Sequence, residues 1–494
     1  MKMAIRISGL YSGLDTDEMV SSLMSAYSTK KNSLVKQQTK LSWTQDVWKD
    51  MNSKIYNFYS KTLSNARFES FYNTQKTTIS DSSYAKINSN SQISGTQTLE
   101  IEQLAQNGYL TGAKLKQMTN GNTKLSELTG VENYVPGTVS VRVGDETKII
   151  ELTENMTVSD LMSSLKKAGV NVSLDSINQR IFIASKQSGT KNDFEIVAND
   201  EGALNTLNAL GLTSQSGAVK VNGQDSKIKL NGVAYTNDTN SYNINGLEFF
   251  ATKETNGEKL QISTQTNTEE IYKKIVGFIE DYNTLLKDMQ TAYNAEPAGN
   301  YEPLTDEEKE LMSESQIKQW EDKIKNSLLR NDSTLYSVIS TLKNEMSSIT
   351  EINGNKYSLS SFGITSKNYF STSKNERGTF EITPEVEEKL KKAIEENPND
   401  VVEYFSTLSN NLYKNIESKM SSTSYRSSYS VYNDKQIAQN LKKYDREISD
   451  WNLKIAKKEE YYYKQFTAME KALAQMNAQS NSLTNLFSSF DIRG

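Results

Sequence analysis

Apolar residues near both ends of the chain keep one rhythm. Val20, Tyr27, Leu34, Leu41, Trp48 and Ile55 recur every seven residues, and so do Leu441, Ile448, Ile455, Tyr462, Met469, Met476 and Leu483. That spacing predicts long helices that each offer an apolar seam to a partner helix. The companion positions of the first helix read Leu23, Lys30, Gln37, Thr44, Met51 and Phe58, so its seam is only half apolar in the middle. In the second helix Ile437, Tyr444, Trp451, Ala472 and Leu486 supply most of the companion seam, Lys458, Gln465 and Gln479 interrupt it, and Phe466 joins the interface set. Asp15 with Glu18 reads as an N-terminal capping box, and Leu14 with Met19 as its hydrophobic staple. Helices over 15–68 and 434–488 would each be roughly 80 Å long. Their similar lengths and incomplete seams predict that they pair antiparallel.

Between these ends the period changes. Leu99/Ile101, Val139/Val141/Val143, Val170/Val172/Leu174, Ile181/Ile183, Val219/Val221, Ile228/Leu230 and Leu260/Ile262 alternate as half-buried strands do. Asn222-Gly223, Asn231-Gly232, Asn245-Gly246 and Asn256-Gly257 read as tight hairpin turns. An amphipathic helix over Val158–Ala168 ends at Gly169. From Thr268 the helical period returns in Ile271, Ile275, Phe278, Tyr282, Leu285 and Met289. Thr305 with Glu308 caps a further helix carrying Leu311, Trp320, Ile324 and Leu328. More helices are expected over Leu335–Ile349, from Pro384, and over Phe405–Met420. The Ser- and Tyr-rich run Ser421–Asn433 reads as a polar hinge.

Punctuation residues agree with this division. No Gly or Pro falls between Leu14 and Ser94 or between Asn433 and Phe490, and all five prolines lie in between. Composition then narrows the chemistry. With no Cys, disulfides, thiol nucleophiles and thiolate metal sites are excluded, and with no His the usual general base near neutral pH is gone. A net charge of −5 without a basic block argues against nucleic acid. No window approaches the roughly 18 consecutive apolar residues of a membrane span. Arg6, Ser8 and Gly9 interrupt the early apolar stretch, which makes it a poor secretory signal.

Carboxylate pairs occur at Glu269/Glu270, Glu307/Glu308, Glu387/Glu388, Glu395/Glu396 and Glu459/Glu460. Neighbouring helical side chains point about 100° apart, so solvated helix faces explain them better than two acids gripping a sugar. Asp15-Thr16-Asp17-Glu18 lacks the spacing of a calcium loop. Trp43, Trp48, Trp451 and Tyr461-Tyr462-Tyr463 all fall on the terminal helices. They fit the pairing of those helices and an aromatic surface for neighbouring subunits equally well.

Two terminal motifs carry a resemblance. Gly9-Leu10-Tyr11-Ser12-Gly13-Leu14-Asp15-Thr16-Asp17 resembles the N-terminal signature of the bacterial flagellar filament cap family, the flagellar hook-associated protein 2 family. Tyr462–Glu470 and Met476–Leu483 are similar to its C-terminal signature. Thr96–Gln106, Gly277–Asn283, Leu304–Glu308 and Leu328–Asp332 match its layout in order. Tyr11 stands where the family commonly has a small residue.

The resemblance implies a secreted, extracellular, non-enzymatic cap at the distal filament tip of the bacterial flagellum, without cofactor, metal or catalytic residue. Its partners would be further copies of itself (a homopentamer), flagellin, a flagellar export chaperone with the type III export apparatus, and the hook–filament junction proteins. It would promote flagellin polymerisation and filament elongation and prevent loss of monomers, and its head could carry a second, adhesive role. A junction protein or flagellin is the alternative axial component, a surface adhesin comes third and an enzyme last. The expected fold is multidomain α+β: long antiparallel coiled-coil-like terminal helices and a helical leg domain, with an inserted β-rich two-domain head. In numbers, 1–45 is the N-terminal arm and 46–74 the first part of the leg. The head runs over 75–130 and 216–266 with an outer insert at 131–215. The leg continues over 267–432, and 433–494 is the C-terminal arm. Asn240 is expected to be an exposed head position.

Overall fold

The computed structural model describes residues 13, 15–88, 94–128, 133–370 and 372–490, with side chains to residue 485. It has two units, Met1–Tyr72 with Thr268–Gly494, and Asn73–Asn267. Helices dominate the first and antiparallel strands the second, which makes the chain α+β.

The first unit begins with the helix Thr16–Asn57, whose Asp15 cap accepts from the amides of Asp17 and Glu18. Its axis continues through a π turn, Phe58–Leu63, into Ser64–Ala66. The wider turn slips the seven-residue phase, and Phe58, Tyr59 and Leu63 are buried. Tyr59 stacks on Tyr413 at 4.3 Å, and the two hydroxyls meet at 2.7 Å. Four further helices, Thr268–Tyr293, Ser333–Met346, Pro384–Glu396 and Pro398–Lys419, close a single core around Ile55, Ile275, Tyr282, Leu342, Leu390 and Phe405. The last of these starts at Pro398, seven residues before the expected Phe405, because proline suits a first helical turn. The helix expected from Thr305 to Leu328 is in fact two. Thr305 and Glu308 do form a capping box, but Asp306–Glu310 ends at Leu311, which is 88% exposed. A second box, Ser313 with Gln316, then starts Glu314–Asn326.

The segment 420–433 is more than a polar hinge. Val431 and Tyr432 are buried, and Tyr432 lies flat on Trp48 with centroids 5.3 Å apart. Asn52 grips the backbone twice: its Nδ2 donates to the Tyr429 carbonyl (3.0 Å) and its Oδ1 accepts from the Val431 amide (2.8 Å). Tyr429 takes a left-handed φ of 62°, a conformation that costs a non-glycine residue of order 1 kcal/mol and must be held by its surroundings. Beyond it Asp434 begins the helix Asp434–Phe490.

Two cores fill the second unit. Around Leu99, Ile101, Ile228, Tyr242, Phe249 and Ile262 pack a five-stranded and a three-stranded antiparallel sheet. The five-stranded order is Gln75–Ile79, Leu260–Thr266, Gly95–Gln103, Ser226–Leu230, Val233–Asn237. Around Val139, Val141, Leu161, Leu165, Ile181 and Ile183 pack two more sheets and the helices Val158–Ala168 and Glu201–Ala209. Gly169 ends the first helix at φ 116°, as its position implied.

Asn231-Gly232 and Asn245-Gly246 join paired strands, with left-handed φ at both residues of each turn. Asn222-Gly223 does not. The strand Val219–Val221 pairs with 109–111, and Gln224 instead exchanges backbone bonds with Gln106. Gly223 is needed for closeness, since a Cβ there would lie 2.6 Å from the Gly189 carbonyl oxygen. Nor does Asn256-Gly257 close a hairpin, because Leu247–Ala251 and Leu260–Thr266 belong to different sheets. Asn240 is half-buried and its amide bonds both backbone groups of Ala105, so it is a structural residue.

Charge follows the same local logic. Hydrogen bonds from Thr157 hold Asp160 below the usual carboxylate range, those from Ala203 and Thr138 do so for Asp200, and the Thr305 amide with Lys36 does so for Glu308. Burial pushes the phenols of Tyr72, Tyr282 and Tyr404 up. Depressed carboxylates contribute stability above their unfolded pKa that is lost as pH falls. Raised phenols contribute stability below theirs that is lost as pH climbs. With no histidine in the chain, urea midpoints should be flat from about pH 5 to about pH 9, falling below about pH 4 and above about pH 10. A transition between those limits would contradict this assignment. Asn52→Ala should cost about 1–3 kcal/mol, because it strands two backbone groups. Hydrogen exchange should quicken first at 429–432.

Candidate functional site

The terminal helices run antiparallel, and three side-chain contacts set their register. The Tyr463 hydroxyl donates to Asp17 Oδ1 (2.8 Å), the Tyr444 hydroxyl to Gln37 Oε1 (3.1 Å), and Gln38 Nε2 to Asp445 Oδ1 (2.5 Å). On the first helix Val20, Leu34, Trp48 and Ile55 are buried, while Tyr27 and Leu41 are half-buried. Leu23 is 41% exposed, whereas Met24, four positions on from Val20, is buried. A straight helix turns in 3.6 residues, so the inward position drifts from a strict seven-residue count.

Across the seam, Leu441, Ile448, Trp451, Ile455, Tyr462, Phe466 and Met469 are all half-buried. Met476 and Leu483 are 64% and 54% exposed. The register explains this difference. Asp17 stands opposite Tyr463, so the C-terminal helix runs on past the first helix by roughly 40 Å. No described residue covers Met476 or Leu483 on that extension. Of the N-terminal motif, Gly13 and Asp15 are exposed, Asp15 as the cap; Gly9, Leu10, Ser12 and Leu14 lie outside the described residues.

The polar middle of the seam is where the two glutamines find partners. Polar contacts inside a helical seam sacrifice some stability and select one register. Beside it a groove of about 1030 Å³ separates the first helix from the 301–308 segment, with Ile455 and Tyr463 along one side. Lys36 bridges to Glu308 at 2.9 Å, and Lys325 lies 4.6 Å over the Trp43 ring. The spacing of Thr305 and Glu308 pointed to the cap alone. No local signal announces the second role of Glu308, whose partner is 272 residues away. Asn52 escaped notice for the same reason.

Of Tyr461-Tyr462-Tyr463, the middle residue is half-buried and its two neighbours differ. Tyr463 reaches Asp17, while Tyr461 is 51% exposed. The glutamate pairs are tied to lysines: Glu269 and Glu387 share Lys391 at 2.6 and 2.7 Å, and Glu460 meets Lys464 at 2.7 Å. The bonds that Lys391 donates to Glu269 and then to Glu387 push its ammonium up.

Comparison with known proteins gives a consistent result. Over 98% of its length the chain is 23% identical to flagellar hook-associated protein 2 of Halalkalibacterium halodurans, covering all of that protein. It is 21% identical to the Escherichia coli K12 protein of the same name, with 97% of each chain covered. A crystal structure of the D1-D2-D3 domains of the flagellar cap protein FliD from Escherichia coli aligns with 76% of this chain and 96% of its own, at 17% identity and a TM-score of 0.49. The profile for the flagellar hook-associated protein 2 N-terminus matches residues 12–108. Because the profile for the C-terminus matches residues 223–478, over half of the sequence by itself, the chain belongs to the flagellar hook-associated protein 2 family.

Proposed function

We propose that the protein caps the distal tip of the flagellar filament as a closed ring of identical copies, a homopentamer. There it promotes flagellin polymerisation and elongation and keeps flagellin monomers from escaping. It reaches this extracellular position through the flagellar type III export apparatus with a chaperone, and it follows the hook–filament junction proteins in assembly. The paired terminal helices are the legs that meet flagellin, and the chemistry is assembly and not catalysis.

One observation carries the reading. The C-terminal helix continues for roughly 40 Å beyond the described helix Thr16–Asn57, and Met476 and Leu483 are exposed on that stretch. Exposed apolar positions at heptad spacing are a coiled-coil face in want of a second helix. The polar centre of the intrachain seam favours the same role. A seam that is stitched by Gln37, Gln38, Tyr444 and Asp445 can part and re-form at low cost, which suits a leg that must let successive subunits pass.

Ile455 tests this directly, because it is half-buried where the two helices and the groove meet. An unpaired carboxylate at that point must either be buried or drive the helices apart. Ile455→Asp should be exported and soluble with helix content close to normal, yet cells carrying it should shed monomeric flagellin and keep bare hooks. Ile177→Asp is the control. Ile177 is 90% exposed in the β-rich unit, and filament length should stay unchanged. Filaments of normal length on Ile455→Asp cells would remove the helices from the flagellin-facing role.

A further inference from the structure

Among the described residues the strand Phe194–Ala198 lies at the rim of its sheet and pairs only with Thr138–Val143. Bonds from the Asn199 amide to the Thr138 carbonyl (3.0 Å) and from the Gly144 amide to the Asp193 carbonyl (3.2 Å) fix the phase of that ladder. In an antiparallel pair, alternate residues turn their backbone groups toward the neighbouring strand. Residues 195 and 197 therefore face inward, and Phe194, Ile196 and Ala198 face out. The Phe194 amide closes on Asp193 Oδ1 at 2.7 Å. Among the described residues the outward amide and carbonyl groups of Ile196 and Ala198 meet no partner.

Open rims are ordinarily blunted by proline, a bulge or unpaired charges. This one has none of those devices. Its ladder is regular, its one charged side chain Glu195 is already paired with Arg142, and Val197 is 43% exposed. The rim opens on a cleft of about 1080 Å³ whose accessible apolar lining includes Leu204, Ile196 and Ala198, above the buried Leu207 and Leu212. Val219–Val221, the rim of the four-stranded sheet, supplies Lys220 to the same cleft. Lys220 Nζ closes one end, 2.5 Å from Asp193 Oδ1 and 4.4 Å over the Phe194 ring. At the other end stand Asp200 and Glu201. Each ion pair is neutral in itself, so the acidic excess is left to Asp200, which accepts from Ala203 and Thr138, and to the exposed Glu201.

We infer that this cleft takes an extended peptide segment of another protein, alternately apolar and basic at the end that meets Asp200 and Glu201. The segment adds to Phe194–Ala198 as a further antiparallel or parallel strand, by backbone bonds to Ile196 and Ala198. Its alternate side chains rest on Leu204 and beside Ile196 and Ala198. Main-chain pairing gives such a site its affinity, and the apolar lining with the acidic end gives its selectivity.

The probe is a short fluorescein-labelled peptide of alternating valine and threonine with lysines at one end, titrated into the full chain. Ile196→Pro is the diagnostic variant. The proline removes an amide that points away from the internal ladder, a placement that edge strands tolerate. It should weaken binding at least about tenfold, the loss of one well-made backbone bond and the blocking of its neighbour. A probe N-methylated on every second residue should lose binding in one phase and keep it in the other, and this arm stands even if Ile196→Pro unfolds. Binding should also slow hydrogen exchange at Ile196 and Ala198. Equal affinity for Ile196→Pro, both N-methylated phases binding alike, or unchanged exchange at those amides would each overturn the inference. So would self-association of the unmodified chain that Ile196→Pro abolishes, because the occupant would then be a second copy.

Discussion

The helical unit depends on the two ends of the chain finding each other. Its N-terminal helix contributes Ile55, and the π turn that follows contributes Phe58 and Leu63, to the same core that the Thr268–Tyr293 and Pro398–Lys419 helices complete. That core forms only when segments more than two hundred residues apart come together, which is a slow, non-local step. Antiparallel pairing with the Asp434–Phe490 helix then sets how the first helix is displayed. Polar contacts at Gln37 and Gln38 select the register, and Trp48 under Tyr432 locks its inner end. Apolar burial supplies the attraction, and hydrogen bonds supply the choice among neighbouring registers.

Much of this was legible in the sequence because it follows from periodicity. Seven-residue spacing disclosed both long helices, two-residue alternation disclosed seven of the seventeen strands among the described residues, and Gly169 disclosed a helix end. Where the reading went astray, a distant partner had overridden a local signal. Asn222-Gly223 looks like a hairpin turn, but Gln106 captures Gln224 and redirects the strand. Ser421–Asn433 looks like a solvated linker, but Asn52 and Trp48 bind it down. Leu311 is the exception, overridden locally: it fits a helical stripe, yet the Ser313 box two residues on restarts the helix and leaves it in solvent.

The C-terminal helix shows the same limit. Met469, Met476 and Leu483 are equivalent by count, but the structure separates them. The first is half-buried, and the other two stand beyond the reach of the described first helix. Heptad position tells which way a side chain faces, and only the register tells what it faces. Tyr461 and Tyr463 differ for the same reason, one in water and one on Asp17. The rim strand Phe194–Ala198 was not read from the sequence at all, because an unpaired edge is a property of sheet order.

The β-rich unit begins and ends on neighbouring strands, with Gln75 opposite Thr266. A two-stranded gate of that kind is about 4.8 Å wide. Whatever is spliced between its posts needs only ends that close to one another, whatever its size or internal topology. The helical unit therefore imposes almost no constraint on the identity of its insert. An insert can be enlarged, trimmed or exchanged between those posts while the path of the flanking helical chain stays the same. The same gate is the place to graft a foreign domain, or to shorten the chain to a tight turn.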